Sequence, residues 1–180
     1  TDDGSTAALN IGFTFNFFGT NYTQFYINAN GFIAFATPSG TTYTPQTLPN
    51  TSTPNNLIAL CWDDLNPAVA GSQINYFTVG TAPNRKLVVN FKNVAFRNST
   101  ANKVTGQIIL YENTNVVEVH LTTQPYNGSA HTIGVERTGG TAGTAATGRN
   151  NTAWRITSPE AWRFTPNLDP AYPTYSWSPA

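Results

Sequence analysis

The acidic pair Asp63-Asp64, with Asn66 just behind it, is the constellation in this chain best suited to chemistry. Asp2-Asp3 forms a second acidic pair near the start. Carboxylates with an amide carbonyl are hard oxygen ligands of the kind Ca²⁺ takes. Asp63, Asp64, Asp2 and Asp3 are therefore the candidate calcium ligands. The alternative is that Asp63 and Asp64 cap a turn and accept main-chain N–H bonds. No Asp-x-Asp-x-Asp-Gly loop is present.

Hydrolytic chemistry finds little support. A glycosidase needs two carboxylates facing each other across a cleft. Glu112, Glu118 and Glu136 instead lie in or beside strand patterns, where solvated outward positions are expected. His120 and His131 are the only histidines, and there is no Gly-x-Ser-x-Gly. Neither a serine nor a cysteine triad is indicated, and two histidines at this spacing do not make a zinc site. Cys61 is the single cysteine, so it forms no intramolecular disulfide. It sits in an apolar run and is expected to be a buried small hydrophobe. No catalytic residue is expected, and calcium is the one cofactor considered.

The four tryptophans divide into two pairs. Trp62 and Trp162 fall inside strand patterns and are expected in the core. Trp154 and Trp177 are more open and are the candidate glycan-stacking residues, with Asn and Thr available to bind hydroxyls. Five Asn-x-Ser/Thr sequons, at Asn21, Asn50, Asn98, Asn127 and Asn150, are glycosylation candidates. The Thr- and Ser-rich stretch 37–53 is equally suited to O-linked sugars.

These residues must be positioned by β-structure. The run 11–35 holds three short aromatic-rich strands punctuated by turns at Gly19 and Gly31. Phe13, Phe15 and Phe17 fall on one face and Thr14 and Asn16 on the other, which is the period of a half-buried strand. Further strands are expected near 57–63, 73–79, 86–96, 103–112, 115–122, 130–137, 152–156 and 161–165. Residues 57–62 are apolar on both faces, so a central strand covered on both sides is expected. Glu112-Asn113-Thr114-Asn115 joins two strands as a hairpin. No stretch keeps a 3.6-residue apolar period, so little helix is expected. Residues 37–56 and 138–151 are expected to be long loops, functional or packed.

Composition sets the class. At 180 residues the chain suffices for one domain with a sizeable core. The net charge is zero and only 10% of residues are charged, which argues against nucleic-acid binding and against docking to anionic membranes. No apolar run approaches the ~20 residues of a membrane span. Aromatic residues make up 13% of the chain, so it is not a disordered composition. Low charge with abundant Thr, Asn and Gly fits a secreted β-protein. A chain that begins at Thr1, with no Met and no signal peptide, fits a processed product or an excised domain.

The reading is an all-β fold: an antiparallel two-sheet sandwich, jelly-roll-like, over residues 1–166. Residues 167–180 form a Pro-rich extension, read as a donor strand or a linker. The alternation Tyr175-Ser176-Trp177 fits a strand, and nothing within the tail offers it a partner. Tyr172, Tyr175 and Trp177 are therefore the candidate assembly residues, docking on the same domain or on a neighbour.

Several segments carry a resemblance. Thr1-Asp2-Asp3-Gly4, IGFTFNFFG (11–19), YINANGFIAF (26–35), NLIALCWDDLNP (56–67), GQIILYENTNVVE (106–118), IGVERTGGTAGTA (133–145) and Trp162-Arg163-Phe164 together cover most of residues 1–166. The set resembles an extracellular β-module of Bacteroidota secreted and cell-surface proteins, and is similar to the nidogen-like (NIDO-like) domain of matrix and adhesion proteins. The resemblance implies a non-enzymatic extracellular structural or adhesive role, with self-association or contact with neighbouring domains of one surface protein. It carries over no catalytic residues. Residues 172–180 look like the first strand of a following immunoglobulin-like repeat. A carbohydrate-binding module of a secreted protein is the alternative, with glycans as partners.

Overall fold

Apolar–polar alternation builds the first hairpin. In the computed structural model, which describes residues 2–167 and 173–180, β1 runs Leu9–Phe17. Phe13, Phe15 and Phe17 turn into the core, as period two requires. β2 (Thr20–Asn28) returns through Phe18-Gly19, whose φ values of 49° and 82° give the mirror-image turn that matches strand twist. β3 (Phe32–Ala34) and β4 (Leu57–Trp62) complete the first run of neighbours. Then come β5 (Leu65–Asn66), β6 (Gln73–Val79), β7 (Lys86–Phe96), β8 (Ser99–Tyr111) and β9 (Val117–Thr123). β10 (Thr132–Glu136), a 3₁₀ turn at Thr138–Gly140, β11 (Gly143–Ala145), β12 (Glu160–Pro166) and β13 (Tyr175–Pro179) close the chain.

The strands form two antiparallel sheets facing each other. One has the order β1-β2-β3-β4-β10-β11. The other has the order β13-β12-β9-β8-β7, with β5 and β6 both pairing with β7. The chain is thus an all-β, two-sheet sandwich, crossing between layers after β4, β9 and β11. The hairpin expected at 112–115 joins β8 to β9.

β4 is buried on both faces for an identifiable reason. Ile58, Leu60 and Cys61 belong to the core between the sheets. Leu57, Ala59 and Trp62 instead join Phe32, Ala34 and Leu48 in a second apolar cluster. Leu48 comes from the long segment 37–56, which therefore lies over the outer face of the first sheet. Trp62 Nε1 donates to the Thr42 carbonyl at 2.7 Å, and Leu48 exchanges both main-chain bonds with the Asn150 amide. The segment expected as a loop is a packed cover.

Two expectations about elements change, and one left open is decided. Residues 152–156 form no strand; a single bridge links Thr152 to His131. Trp154 gives this segment its apolar look because it is inserted into the core from irregular backbone. The Gly/Ala/Thr-rich stretch 138–151 contains β11, a short edge strand on β10. The tail also finds a partner: β13 pairs with β12 of its own chain, with Phe164 opposite Trp177 and Thr165 opposite Ser176. Tyr172 lies outside the described residues.

Candidate functional site

β4 ends by pointing its two terminal carboxylates in different directions. Asp63 turns inward and is buried. Its Oδ2 accepts from Asn127 Nδ2 at 3.0 Å and lies 3.1 Å from His131 Nδ1. His131 is fully buried, with Phe96 against one side of its ring and Trp154 meeting it edge-on. Its carbonyl accepts from Trp154 Nε1 at 3.2 Å. Asp63 thus ties β4 to the loop before β10.

Asp64 turns outward to the N-terminal segment. One carboxylate oxygen each from Asp2, Asp3 and Asp64 lie within 4.8 Å of one another. Asn30 Nδ2 donates to Asp3 Oδ1 at 3.0 Å, and Arg97 Nε lies 3.0 Å from Asp2 Oδ2. The Arg97 main-chain N–H donates to the Asp64 carbonyl at 2.8 Å. Partial burial and the charges of Asp3, Asp2 and Asp63 push the Asp64 carboxyl above its usual range, opposed by Arg97. Of the four candidate calcium ligands, three come together here. Asp63 does not, because its carboxylate serves Asn127 and His131.

The aromatic candidates separate. Trp154 is only 6% exposed, with His131 on one side and the Arg149 guanidinium 4.7 Å from its ring centre. It offers no face to a sugar, and that expectation is corrected: the core claims the ring. Trp177 is half-buried and packs edge-on against Trp162, centroids 5.0 Å apart. Tyr175 lies on the core side of β13, its ring among Phe17 and Phe18, its hydroxyl within 2.9 Å of the Asn115 carbonyl.

The glutamates are not simple solvated positions. Glu112 is clamped by Arg85, whose Nε donates to Oε2 at 2.8 Å. Glu118 is buried on the outer side of the second sheet under three partners: Tyr111 Oη at 2.7 Å, His120 Nε2 at 2.9 Å and Arg163 at 2.6 Å. Burial works to raise its carboxyl, but the bonds from Tyr111, His120 and Arg163 win and hold it below its usual range. Glu136 is fully buried beneath the 37–56 cover, where Oε2 accepts from the Asn50 N–H and Oε1 has no partner among the described residues. Desolvation pushes this carboxyl up to about 7. Alternation placed Glu118 and Glu136 on outer faces; it does not reveal that those faces are covered. No two of these carboxylates form an open pair across a cleft.

The sequons differ in access. Asn21 and Asn98 are exposed, and Asn50, Asn127 and Asn150 are half-buried. The amide nitrogens of Asn127 and Asn150 are engaged with Asp63 and the Leu48 carbonyl.

A polar row was missed by the sequence reading. Asn75, Asn90 and Gln107 are cross-strand partners on β6, β7 and β8, and their amides hydrogen-bond in series. Only the register shows it, since the three positions are far apart in sequence.

The architecture is that of an antiparallel two-sheet β-sandwich module with a core sealed between the sheets. The chain is a member of the NIDO-related family, whose model matches residues 1–179. That membership points to an extracellular module. The match runs through β13, so the terminal strand lies within the family's span. Searches of curated proteins and of solved structures find no match. Among the described residues no helix is long and apolar enough to cross a membrane.

Proposed function

We propose that this chain is a non-enzymatic structural and adhesive module of a bacterial surface protein, and that it assembles into fibres by exchange of its C-terminal strand. One observation carries the proposal. β13 is an edge strand with a single hydrogen-bonded neighbour, β12, yet it delivers a buried side chain, Tyr175, to the core. A strand held on one side only is the element most easily replaced by its equivalent from a second copy. The same β12 edge and the same Phe17–Phe18 pocket would receive a neighbour's Tyr175 and Trp177. Contact with neighbouring domains of one surface protein is the other use of this edge.

The test locks the strand at home. Thr165→Cys with Ser176→Cys places two thiols on cross-strand partners at the sheet surface. Under oxidising conditions the locked chain should stay monomeric, and reduction should restore filaments visible by electron microscopy. Deletion of residues 167–180 should abolish assembly. Filaments that form equally from the oxidised chain or the deleted chain sink the proposal.

Calcium at Asp2, Asp3 and Asp64 is proposed as a support of the N-terminal segment. A carbohydrate-binding role loses Trp154, but gains support from the amide row on the second sheet.

A further inference from the structure

The outward face of the second sheet holds a cleft of about 370 Å³, lined by Asn75, Asn90, Lys92, Gln107, His120 and Thr122. Its central feature is the amide row. Gln107 Nε2 donates to Asn90 Oδ1 at 2.7 Å, and Asn90 Nδ2 donates to Asn75 Oδ1 at 2.8 Å. These bonds fix which end of each amide points which way. They leave the second N–H of Gln107 and Asn90, the whole NH₂ of Asn75 and the Gln107 carbonyl open to a ligand. His120, opposite Gln107 on β9, extends the row. Four strands at the usual inter-strand spacing make it about 14 Å long. Oriented donors and acceptors on hydrogen-bonded neighbouring strands are pre-organised, because their rotamers are held by one another and their backbone by the ladder.

Two neighbours narrow the ligand. Phe77, on the same face as Asn75 and 44% exposed, gives an apolar border of the kind a pyranose ring face packs on. The Lys92 ammonium has no hydrogen bond or ion pair with any described residue, and no carboxylate lines the cleft. Glu118, on the same strand as His120, is already neutralised by Arg163. The cleft therefore presents hydroxyl-binding amides beside an uncompensated cation.

We propose that this cleft binds a carboxylate-bearing glycan, a uronate-containing chain whose hydroxyls meet the Asn75–Asn90–Gln107 row and whose carboxylate meets Lys92. It deepens the adhesive reading by naming a ligand class, but does not depend on fibre assembly. The probes are oligogalacturonate and oligoalginate, with cello- and xylo-oligosaccharides as neutral comparisons, titrated calorimetrically into the intact chain. Binding should favour the uronates, weaken with added salt, and fall about tenfold in Asn90→Ala and in Lys92→Ala. Lys92→Ala removes an exposed side chain, so its fold is not at risk; circular dichroism checks Asn90→Ala. The oxidised Thr165→Cys/Ser176→Cys chain should bind as well as the parent, which separates this test from that of assembly. No binding to any of the four sugars, or uronate binding untouched by both substitutions, overturns the proposal. Equal binding of neutral chains, indifferent to Lys92, overturns the assignment of an acidic ligand.

Discussion

The Tyr175 ring sits 4.9 Å from that of Phe18, across a junction between the last strand and the first hairpin. The contact joins residues from opposite ends of the chain, and the Tyr175 hydroxyl reaches the carbonyls of Asn115 and Asn16 as well. Tyr175→Ala should therefore destabilise the domain by about 3 kcal/mol, within the range for truncating a buried aromatic. Tyr175→Phe keeps the ring and loses the hydroxyl bonds, costing about 1 kcal/mol. Urea unfolding followed by tryptophan fluorescence measures both. A Tyr175→Ala chain as stable as the parent would show that β13 is not part of the folded unit.

Asp63 makes the second long-range tie. Removing its carboxylate leaves His131 and the Asn127 amide facing each other in a buried place, with Phe96 and Trp154 preventing access of water to the ring. Asp63→Ala should cost about 2–4 kcal/mol, the penalty for leaving buried polar partners unmatched. Asp63→Asn, which keeps an oxygen for Asn127, should cost less. Thermal unfolding at neutral pH distinguishes them; equal losses for Ala and Asn would mean that the carboxylate charge matters more than the hydrogen bond.

How much of this was legible beforehand depends on the range of the interaction. Phe13, Phe15 and Phe17 announce a buried strand face by spacing alone, because neighbours in a strand fix alternation locally. Leu57–Trp62 announces a strand apolar on both sides, and the structure supplies the second cover through Leu48. Spacing is silent about what that cover does to Glu136, or about how Tyr111, His120 and Arg163 roof Glu118. Trp154 misled for a related reason: its neighbours in sequence do not decide whether its ring is open, because its burial depends on His131 and Arg149 packing against it. The amide row and the Asp2–Asp3–Asp64 grouping are products of register and of chain crossing. Composition shows that amides and carboxylates are present, not which of them meet.

Glu136 predicts a pH dependence. Its unfolded carboxyl titrates near the ordinary value, about 4.5, and burial raises the folded one to about 7. A raised acid binds its proton more tightly when folded, so the folded state is favoured at low pH and loses that advantage as pH rises through this window. The parent should thus lose about 3 kcal/mol from this group between pH 4.5 and pH 8. Glu136→Gln keeps an oxygen for the Asn50 N–H and removes the charge, so it should be more stable than the parent at pH 8 and close to it at pH 4.5. Guanidinium unfolding at both pH values gives the answer. A parent–variant difference that does not change with pH would show that Glu136 stays ionised when folded.

The grouping of Asp2, Asp3 and Asp64 predicts a response to calcium. Three carboxylates within reach of one ion repel one another, and Arg97 compensates Asp2 alone at close range. A cation would relieve that repulsion and pin the N-terminal segment against the end of β4. Extracellular sites of this modest charge bind calcium with dissociation constants of about 10⁻⁴–10⁻³ M. A tenfold excess of the ion over that constant adds about 1.4 kcal/mol, or roughly 4 °C in melting temperature for a chain of this size. Asp64→Asn should abolish the rise, whereas Glu112→Gln, far from the cluster in the Arg85 clamp, should not. Magnesium, which demands tighter octahedral geometry and keeps its waters, should give a smaller shift. A melting temperature indifferent to calcium, or one that rises equally in Asp64→Asn, would leave Arg97 and Asn30 as the partners that hold these carboxylates.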